Sequence, residues 1–385
     1  MWQIFKQFFA LGWVSFGGPA AHLGYFQRHF VHKLGWLDQP RYAQLIALSQ
    51  FLPGPGSSQV GFAIGYQRAG LLGGLAAFIG FTAPSFAIMA AIALLNTSLT
   101  DNSFYQGVIH SLKLFAVVIV ADAVITMSKQ FWSKQTSLLI GLVSTVVMLL
   151  QQGLWTQLLV LAGAAVIGAS QPEMTAPTEK PCVDDKACSS PLWWALVLFG
   201  LLFFVLPLIA GQSSLVALFS EFFQAGSLVF GGGHVVLPLL QESLAGQISQ
   251  DSFLLGYASA QAIPGPMFTL ATFLGAELTP SSPLLGALVA TVAIFAPGLL
   301  LMVGLLNSWQ ALVARPRLAG AISAVNAAVV GLLVSAWYAP VFTSSVFLKQ
   351  DFAAVVVGFV LLRQLKVPVL YLVAGYVALG LLLAL

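Results

Sequence analysis

Long apolar runs alternate with short polar joints along most of the chain, and their spacing predicts helices that cross a lipid bilayer. Runs at 71–95, 107–127, 136–150, 154–169, 192–210, 284–306, 319–337, 352–362 with its flanks, and 367–385 read as spans, because about 20 apolar residues in a helix cover the hydrocarbon core. Four other apolar stretches are interrupted at their middle by Gly and Pro. They leave paired helical pieces of 12 to 16 residues: 2–16 with 19–33, 39–52 with 56–69, and counterparts around Gly231–Gly233 and Pro264–Pro266. Such a piece is only about 20 Å long, so each pair is expected to reach the bilayer middle and return as a re-entrant hairpin. A single long polar stretch, 171–190 (QPEMTAPTEKPCVDDKACSS), reads as a linker.

The pattern occurs twice. FFALGWVSFGGPA (8–20) matches FFQAGSLVFGGGH (222–234), SQFLPGPG matches AQAIPGPM, and FTAPSFAIM matches IFAPGLLLM, in the same order and at offsets of 211 to 214 residues. Three ordered anchors imply a fused duplication. The expected division is an amino-terminal repeat at 1–170, a cytoplasmic linker at 171–190, an extra span at 191–211 and a carboxyl-terminal repeat at 212–385. The amino-terminal segment has the look of a secretory leader, but its pattern recurs inside the chain and it is expected to be retained.

Charge sets the orientation. With hairpins in both halves, Arg28, Lys33, Arg41, Arg68, Lys129 and Lys134 fall on one side in the first half, joined by Arg315, Arg317, Arg363 and Lys366 from the second. Lys and Arg concentrate on the cytoplasmic side, and the loops between 233 and 283 contain acids but no base. The halves are therefore expected to be inverted, with the extra span supplying the odd crossing. The fold class is an all-α polytopic membrane protein of two inverted-topology repeats, each with two re-entrant hairpins plus transmembrane spans.

Composition agrees. The 385 residues are 59% hydrophobic and 7% charged, against about 25% charged in soluble domains, so the partner is the lipid bilayer. The net charge of +3 comes without a polybasic run, which argues against a nucleic-acid partner. Cys182 and Cys188 lie in the linker without neighbours at metal-ligand spacing, so no metal site and no cofactor are expected. Neither an H-E-x-x-H sequence nor a P-loop is present, and no catalytic residue is assigned.

Broken helices that meet near the midplane in inverted repeats are the architecture of secondary transporters. Non-helical backbone at that depth is tolerated where it is buried or lines a wet cavity. Helices starting near Pro19, Ser57, His234 and Met267 would aim free N–H groups and positive dipole ends at the centre, which suits an anion. The candidate binding residues are Gly17, Gly18, Pro19, His22, Gln50, Pro53, Gly54, Pro55, Gly56, Ser57, Ser58 and Gln59 in the first half, and Gly231, Gly232, Gly233, His234, Gln261, Pro264, Gly265, Pro266 and Thr269 in the second. Neutral donors hold an anion and glycines let backbone approach it; the blander alternative is that these small residues only pack helices. Lys113 and Asp122 are the charges inside a span and are candidates by that placement. Lys113 would add positive potential, and Asp122 would pair with a base or relay protons.

SFGGPAAHLGYF, LSQFLPGPGSSQVGFAIGYQRAGLLGGLAAF, FGGGHVVLPLL and QAIPGPMFTLATFLG resemble the chromate ion transporter family of bacterial inner-membrane proteins. The resemblance implies a two-half protein that exports chromate, with sulfate recognised as a tetrahedral mimic, and hence chromate resistance. It carries over the FGG and PGP positions, with the departure that Met267 stands where the first half has Gly56. Export is driven by the membrane potential or the proton-motive force: a dianion leaving through about 100 mV gains about 4.6 kcal/mol, roughly three decades of gradient. The alternatives kept open are an anion channel and a transporter of sulfate or another oxyanion. A homodimer is one assembly open to the chain.

Overall fold

The computed structural model describes residues 1–99, 103–171, 191–230, 236–308 and 315–383. The linker beyond Gln171, with Cys182 and Cys188, and the candidates Gly231, Gly232, Gly233 and His234 lie outside the described residues. Every regular element described is helical.

The first half contains α1 (Trp2–Val14), α2 (Gly18–Phe26, prolonged by widened π-type turns to Lys33), α3 (Gln39–Phe51), α4 (Gly56–Leu99), α5 (Ser103–Phe131), α6 (Gln135–Leu150) and α7 (Leu154–Ser170). Next come α8 (Trp193–Phe204) and the short α9 (Leu206–Ile209). The second half contains α10 (Ser214–Leu228), α11 (Val236–Ser243), α12 (Gln250–Ala262), α13 (Leu270–Leu278), α14 (Pro283–Leu305), α15 (Pro316–Ala336), α16 (Lys349–Arg363) and α17 (Val369–Leu383).

The helix breaks fall at the Gly/Pro interruptions. Within α4 the backbone leaves helical geometry at Ala69 (φ −152°) and Gly70 (φ 61°), dividing a short arm from a long one. Gly70 adopts the left-handed region without the Cβ penalty other residues carry. Asp38 starts α3 by accepting from the Arg41 N–H at 2.8 Å, with Pro40 in the first turn.

The first two hairpins are antiparallel pairs. His29 Nε2 lies 2.7 Å from Gln7 Oε1, while nearer the tip His22 Nε2 lies 3.1 Å from the Ser15 carbonyl. With its amide oxygen turned to accept, Gln67 takes hydrogen bonds from Arg41 at 3.0 and 3.2 Å, which closes the base of the α3–α4 hairpin. Arg28 stacks over Tyr25 and Arg68 over Trp36 at the same end.

Equivalent helices make equivalent contacts. Trp132, just past α5, donates Nε1–H to the Ala327 carbonyl of α15 at 3.0 Å, and Trp337, just past α15, donates to the Val117 carbonyl of α5 at 3.1 Å. The end of each helix meets the middle of the other, so α5 and α15 run antiparallel. In the same way Gly168 of α7 packs on Gly320 of α15, and Gly380 of α17 on Gly107 of α5. Each half thus wraps its last helices around the other half's long helix.

Among the described residues, four segments are long and apolar enough to cross a membrane by length and composition: Gly56–Asn96, Gln106–Phe131, Pro283–Leu305 and Pro316–Phe342. The segments expected as ordinary spans at 136–150, 154–169, 192–210, 352–362 and 367–385 form shorter helices of 16, 17, 12, 15 and 15 residues. A helix of 16 residues is about 24 Å long, short of the roughly 30 Å hydrocarbon core. Their apolar residues, among them Leu142, Val143, Leu159 and Val166, are exposed, which fits a face turned to lipid.

Candidate functional site

Two helices begin at the hairpin tips of the first half. Gly17 (φ 95°) and Gly18 (φ 75°) turn the chain into α2, with Pro19 in its first turn. Pro53–Gly54–Pro55 turns it into α4, with Gly54 at φ 115°. Between these two N-termini and the carboxyl-terminal half of α5 is a cavity of about 310 Å³. Gly17, Pro19, Ala20 and Leu23 line it from the first tip, and Ser49, Gln50, Leu52, Gly54, Gly56 and Ser57 from the second. Asp122, Ala123, Thr126, Met127, Gln130 and Phe131 complete it from α5.

Two helix N-termini end on this space, so it faces two positive dipole ends. Gln50, Ser57, Thr126 and Gln130 add neutral donors to the lining. Among the described residues lining it, Asp122 is the one that is ionisable. Its charge is met from the other half: Arg363, in the last turn of α16, donates Nη1–H to Asp122 Oδ1.

Of the described residues singled out from sequence, Gly17, Pro19, Gln50, Gly54, Gly56, Ser57 and Asp122 line the cavity, and the other described ones do not. Gly18 turns toward Met267, whose sulfur would lie 3.8 Å from an added Cβ. His22 is fully buried, and both its nitrogens are engaged, Nε2 with the Ser15 carbonyl and Nδ1 with Ser57 Oγ at 3.2 Å. A carbonyl only accepts, so Nε2 carries the proton and the Ser57 hydroxyl donates to Nδ1; His22 is a strut joining the two hairpin tips. Gln59 is buried and donates Nε2–H to the Pro53 carbonyl at 2.9 Å and the Gly298 carbonyl at 3.1 Å, holding the PGP turn against α14. Ser58 Oγ is buried and finds no partner among the described residues. Pro55 packs its ring on Gly298.

Lys113 is not at the cavity. Its ammonium donates to Asp251 Oδ1 at 2.7 Å, at the start of α12. Sequence could place Lys113 on a span but not identify its partner, 138 residues away. The second PGP turn does not line the cavity either. Between Pro264 and Pro266, Gly265 packs against Ser85 of the first half, and its N–H donates to the Ser15 carbonyl at 2.9 Å. Thr269 Oγ1 caps the Pro266 carbonyl at 2.8 Å and Gln261 donates to Tyr257 at 3.1 Å. Among the described residues the cavity lining therefore comes from the first half alone, with Arg363 paired to its Asp122. Thr126 and Gln130 escaped notice, although they follow Asp122 at intervals of four, the spacing of one helix face. No pattern in the chain linked Arg363 to Asp122.

The sequence profile of the family described as chromate transporter matches residues 2–169 and 216–381. The chain belongs to the chromate transporter family. The cavity lining lies within the first matched stretch and Arg363 within the second. Among the relatives, a chromate transport protein of Pseudomonas aeruginosa is 26% identical over 86% of this chain and 79% of its own length. A probable chromate transport protein of Synechococcus elongatus is 28% identical over 87% and 83%, and an uncharacterised transporter of Methanocaldococcus jannaschii is 25% identical over 98% and 94%. No solved structure matches the chain. The family and the apolar helices make this a multi-pass membrane transporter.

Proposed function

We propose that the protein is a secondary transporter that exports chromate from the cytoplasm across a bacterial inner membrane and so confers resistance. The observation that carries this reading is the cavity of about 310 Å³ on which the N-termini of α2 and α4 converge. Two dipole ends and neutral hydroxyl and amide donors suit a tetrahedral dianion. The chromate transport proteins among the relatives support chromate as the cargo.

In this reading the halves 1–170 and 212–385 are inverted, with 171–190 cytoplasmic and 191–211 an added crossing. Arg28, Lys33, Arg41 and Arg68 gather at the bases of the first-half hairpins, which marks that end as cytoplasmic. The cavity beside α5 then accepts its cargo from inside. Outward movement of a dianion runs down the membrane potential, so no proton is required to drive it.

The test is chromate uptake into inside-out vesicles under an imposed potential, with and without excess sulfate, beside a Pro53→Ala/Pro55→Ala variant. Saturable accumulation that follows the potential, and that the variant loses, is the expected result. Correctly inserted protein that accumulates no chromate above empty vesicles would overturn export of chromate. Non-saturating flux would point to a channel, and saturable sulfate uptake alone would make sulfate the cargo.

A further inference from the structure

Asp122 is out of place by charge. It lines a cavity built from neutral donors and helix N-termini, where a bare carboxylate would repel any entering anion. Its charge is balanced by Arg363, which reaches it from the opposite half, 241 residues away in sequence. The contact is partly shielded but not sealed, with side-chain exposures of 24% for Arg363 and 33% for Asp122, and its Asp122 end lines the cavity.

A guanidinium presents its donors in a planar fork that fits a carboxylate and a tetrahedral oxyanion equally well. Asp122 occupies that fork with a single negative charge. A divalent oxyanion in the same cavity offers two charges and further acceptor oxygens, and it is held at the same time by the N-termini of α2 and α4. Arg363 also sits in the last turn of α16, where a cation is favoured by the helix dipole in either arrangement.

We propose that Asp122 holds the place of the transported anion: the entering oxyanion displaces the carboxylate from Arg363, and Arg363 becomes its charged ligand. The exchange has a mechanical consequence, because the Asp122–Arg363 pair ties α5 of the first half to α16 of the second. The tie opens when an anion arrives and closes again when it leaves, so that relative movement of the halves is linked to occupancy. No bond is made or broken and no proton moves; one ion pair is traded for another. This assignment rests on the transport reading above, but it predicts an order of affinities that does not depend on which oxyanion is carried.

The experiment is equilibrium dialysis of radiolabelled chromate, and in parallel sulfate, against purified full-length protein in nanodiscs. The proteins are wild type, Asp122→Asn, Arg363→Lys, Arg363→Gln and the Asp122→Asn/Arg363→Gln pair, each checked for a monodisperse, cooperatively unfolding form. Exchange predicts that Asp122→Asn, which frees the fork, binds on the order of 10-fold tighter than wild type, and that Arg363→Gln binds on the order of 10-fold weaker. The double variant should bind more tightly than Arg363→Gln, which leaves a bare carboxylate in the lining, but more weakly than Asp122→Asn, and Arg363→Lys should fall between Arg363→Gln and wild type. A merely structural pair gives a different order: Asp122→Asn no tighter than wild type, or the double variant as tight as Asp122→Asn, and either overturns the proposal. Arg363→Lys keeps the charge beside Asp122 and supplies the comparison should Arg363→Gln fail to fold. If wild type binds sulfate but not chromate and the order holds, the chromate assignment falls and the exchange stands. If wild type binds neither anion, both fall.

Discussion

Gly54 donates its backbone N–H to the carbonyl of Val229 at 2.7 Å, from the PGP turn of one half to the residue before the FGG break of the other. The counterpart bond runs the opposite way, from Gly265 to Ser15 at 2.9 Å. Each turn is therefore docked on its partner's break, and the repeat seen in the sequence is a reciprocal clasp in space. The residues behind the turns differ: a Cβ on Gly54 would stand 2.9 Å from the Gly298 Cα, whereas a Cβ on Gly265 would stand 2.7 Å from the Ser85 hydroxyl.

Gly54→Ala is expected to be the more damaging of the two substitutions. Both positions have φ above 100°, and an L-residue in left-handed backbone costs about 1–2 kcal/mol. At Gly54 the obstacle is backbone, which cannot rotate aside. At Gly265 part of it is a side chain, so Gly265→Ala combined with Ser85→Gly should recover some stability, while Gly54→Ala has no comparable rescue. Thermal unfolding of the purified variants tests this; equal losses for the two single variants and no rescue would contradict it.

The two indole bonds should behave as a matched pair. Trp132→Phe and Trp337→Phe each remove one Nε1–H bond to a helix carbonyl and should each lower stability by about 0.5–1.5 kcal/mol. The bonds have no residue in common, so the double variant should lose the sum of the two effects. Chemical denaturation in a fixed detergent measures all three, and a double variant no worse than either single one would show that the contacts are not independent.

Lys113 is expected to be a structural cation, not a ligand. Its side chain is 7% exposed and bonded to Asp251, which is 62% exposed. Removing Asp251 leaves the buried ammonium without its carboxylate, so Asp251→Ala should destabilise more than Lys113→Met, which removes the charge itself. Chromate affinity should be unchanged in Lys113→Met. A 10-fold loss of affinity in a variant of normal stability would return Lys113 to the binding site.

Local signals made the hairpins legible before any coordinates. Gly and Pro end helices by backbone sterics alone, so the breaks near 17, 54 and 70 follow from neighbouring residues. Spacing also marked the tips that line the cavity, because Gly17, Gln50 and Ser57 lie beside those breaks. Partnerships across the two halves were not legible. That His22 is held by Ser15 and Ser57 while Lys113 is taken by Asp251 depends on how the hairpins and halves dock, and nothing local to either residue specifies it. Met267 in place of Gly56 already broke the match between the two PGP turns, and among the described residues the cavity is lined from the first half only. A pseudo-symmetric sequence does not oblige a symmetric conformation.

Sidedness gives the last prediction. α5 meets the start of α12 at Lys113 and the first-half tips from Asp122 to Phe131, and inverted halves would set the two hairpin bases on opposite faces of the membrane. With Cys182 and Cys188 replaced by Ser, His32→Cys at the base of the first hairpin and Lys134→Cys after α5 should react with an impermeant maleimide from one face of the membrane. Gln250→Cys, at the start of α12, should react only from the other. His32, Lys134 and Gln250 are all exposed, so labelling reports the face and not burial. In the proposed orientation the basic residues near 28–41 and 68 face the cytoplasm, so inside-out vesicles should label His32→Cys while intact cells label Gln250→Cys. Labelling of all three from one face would remove the inverted arrangement, and with it the inference that the cavity fills from inside.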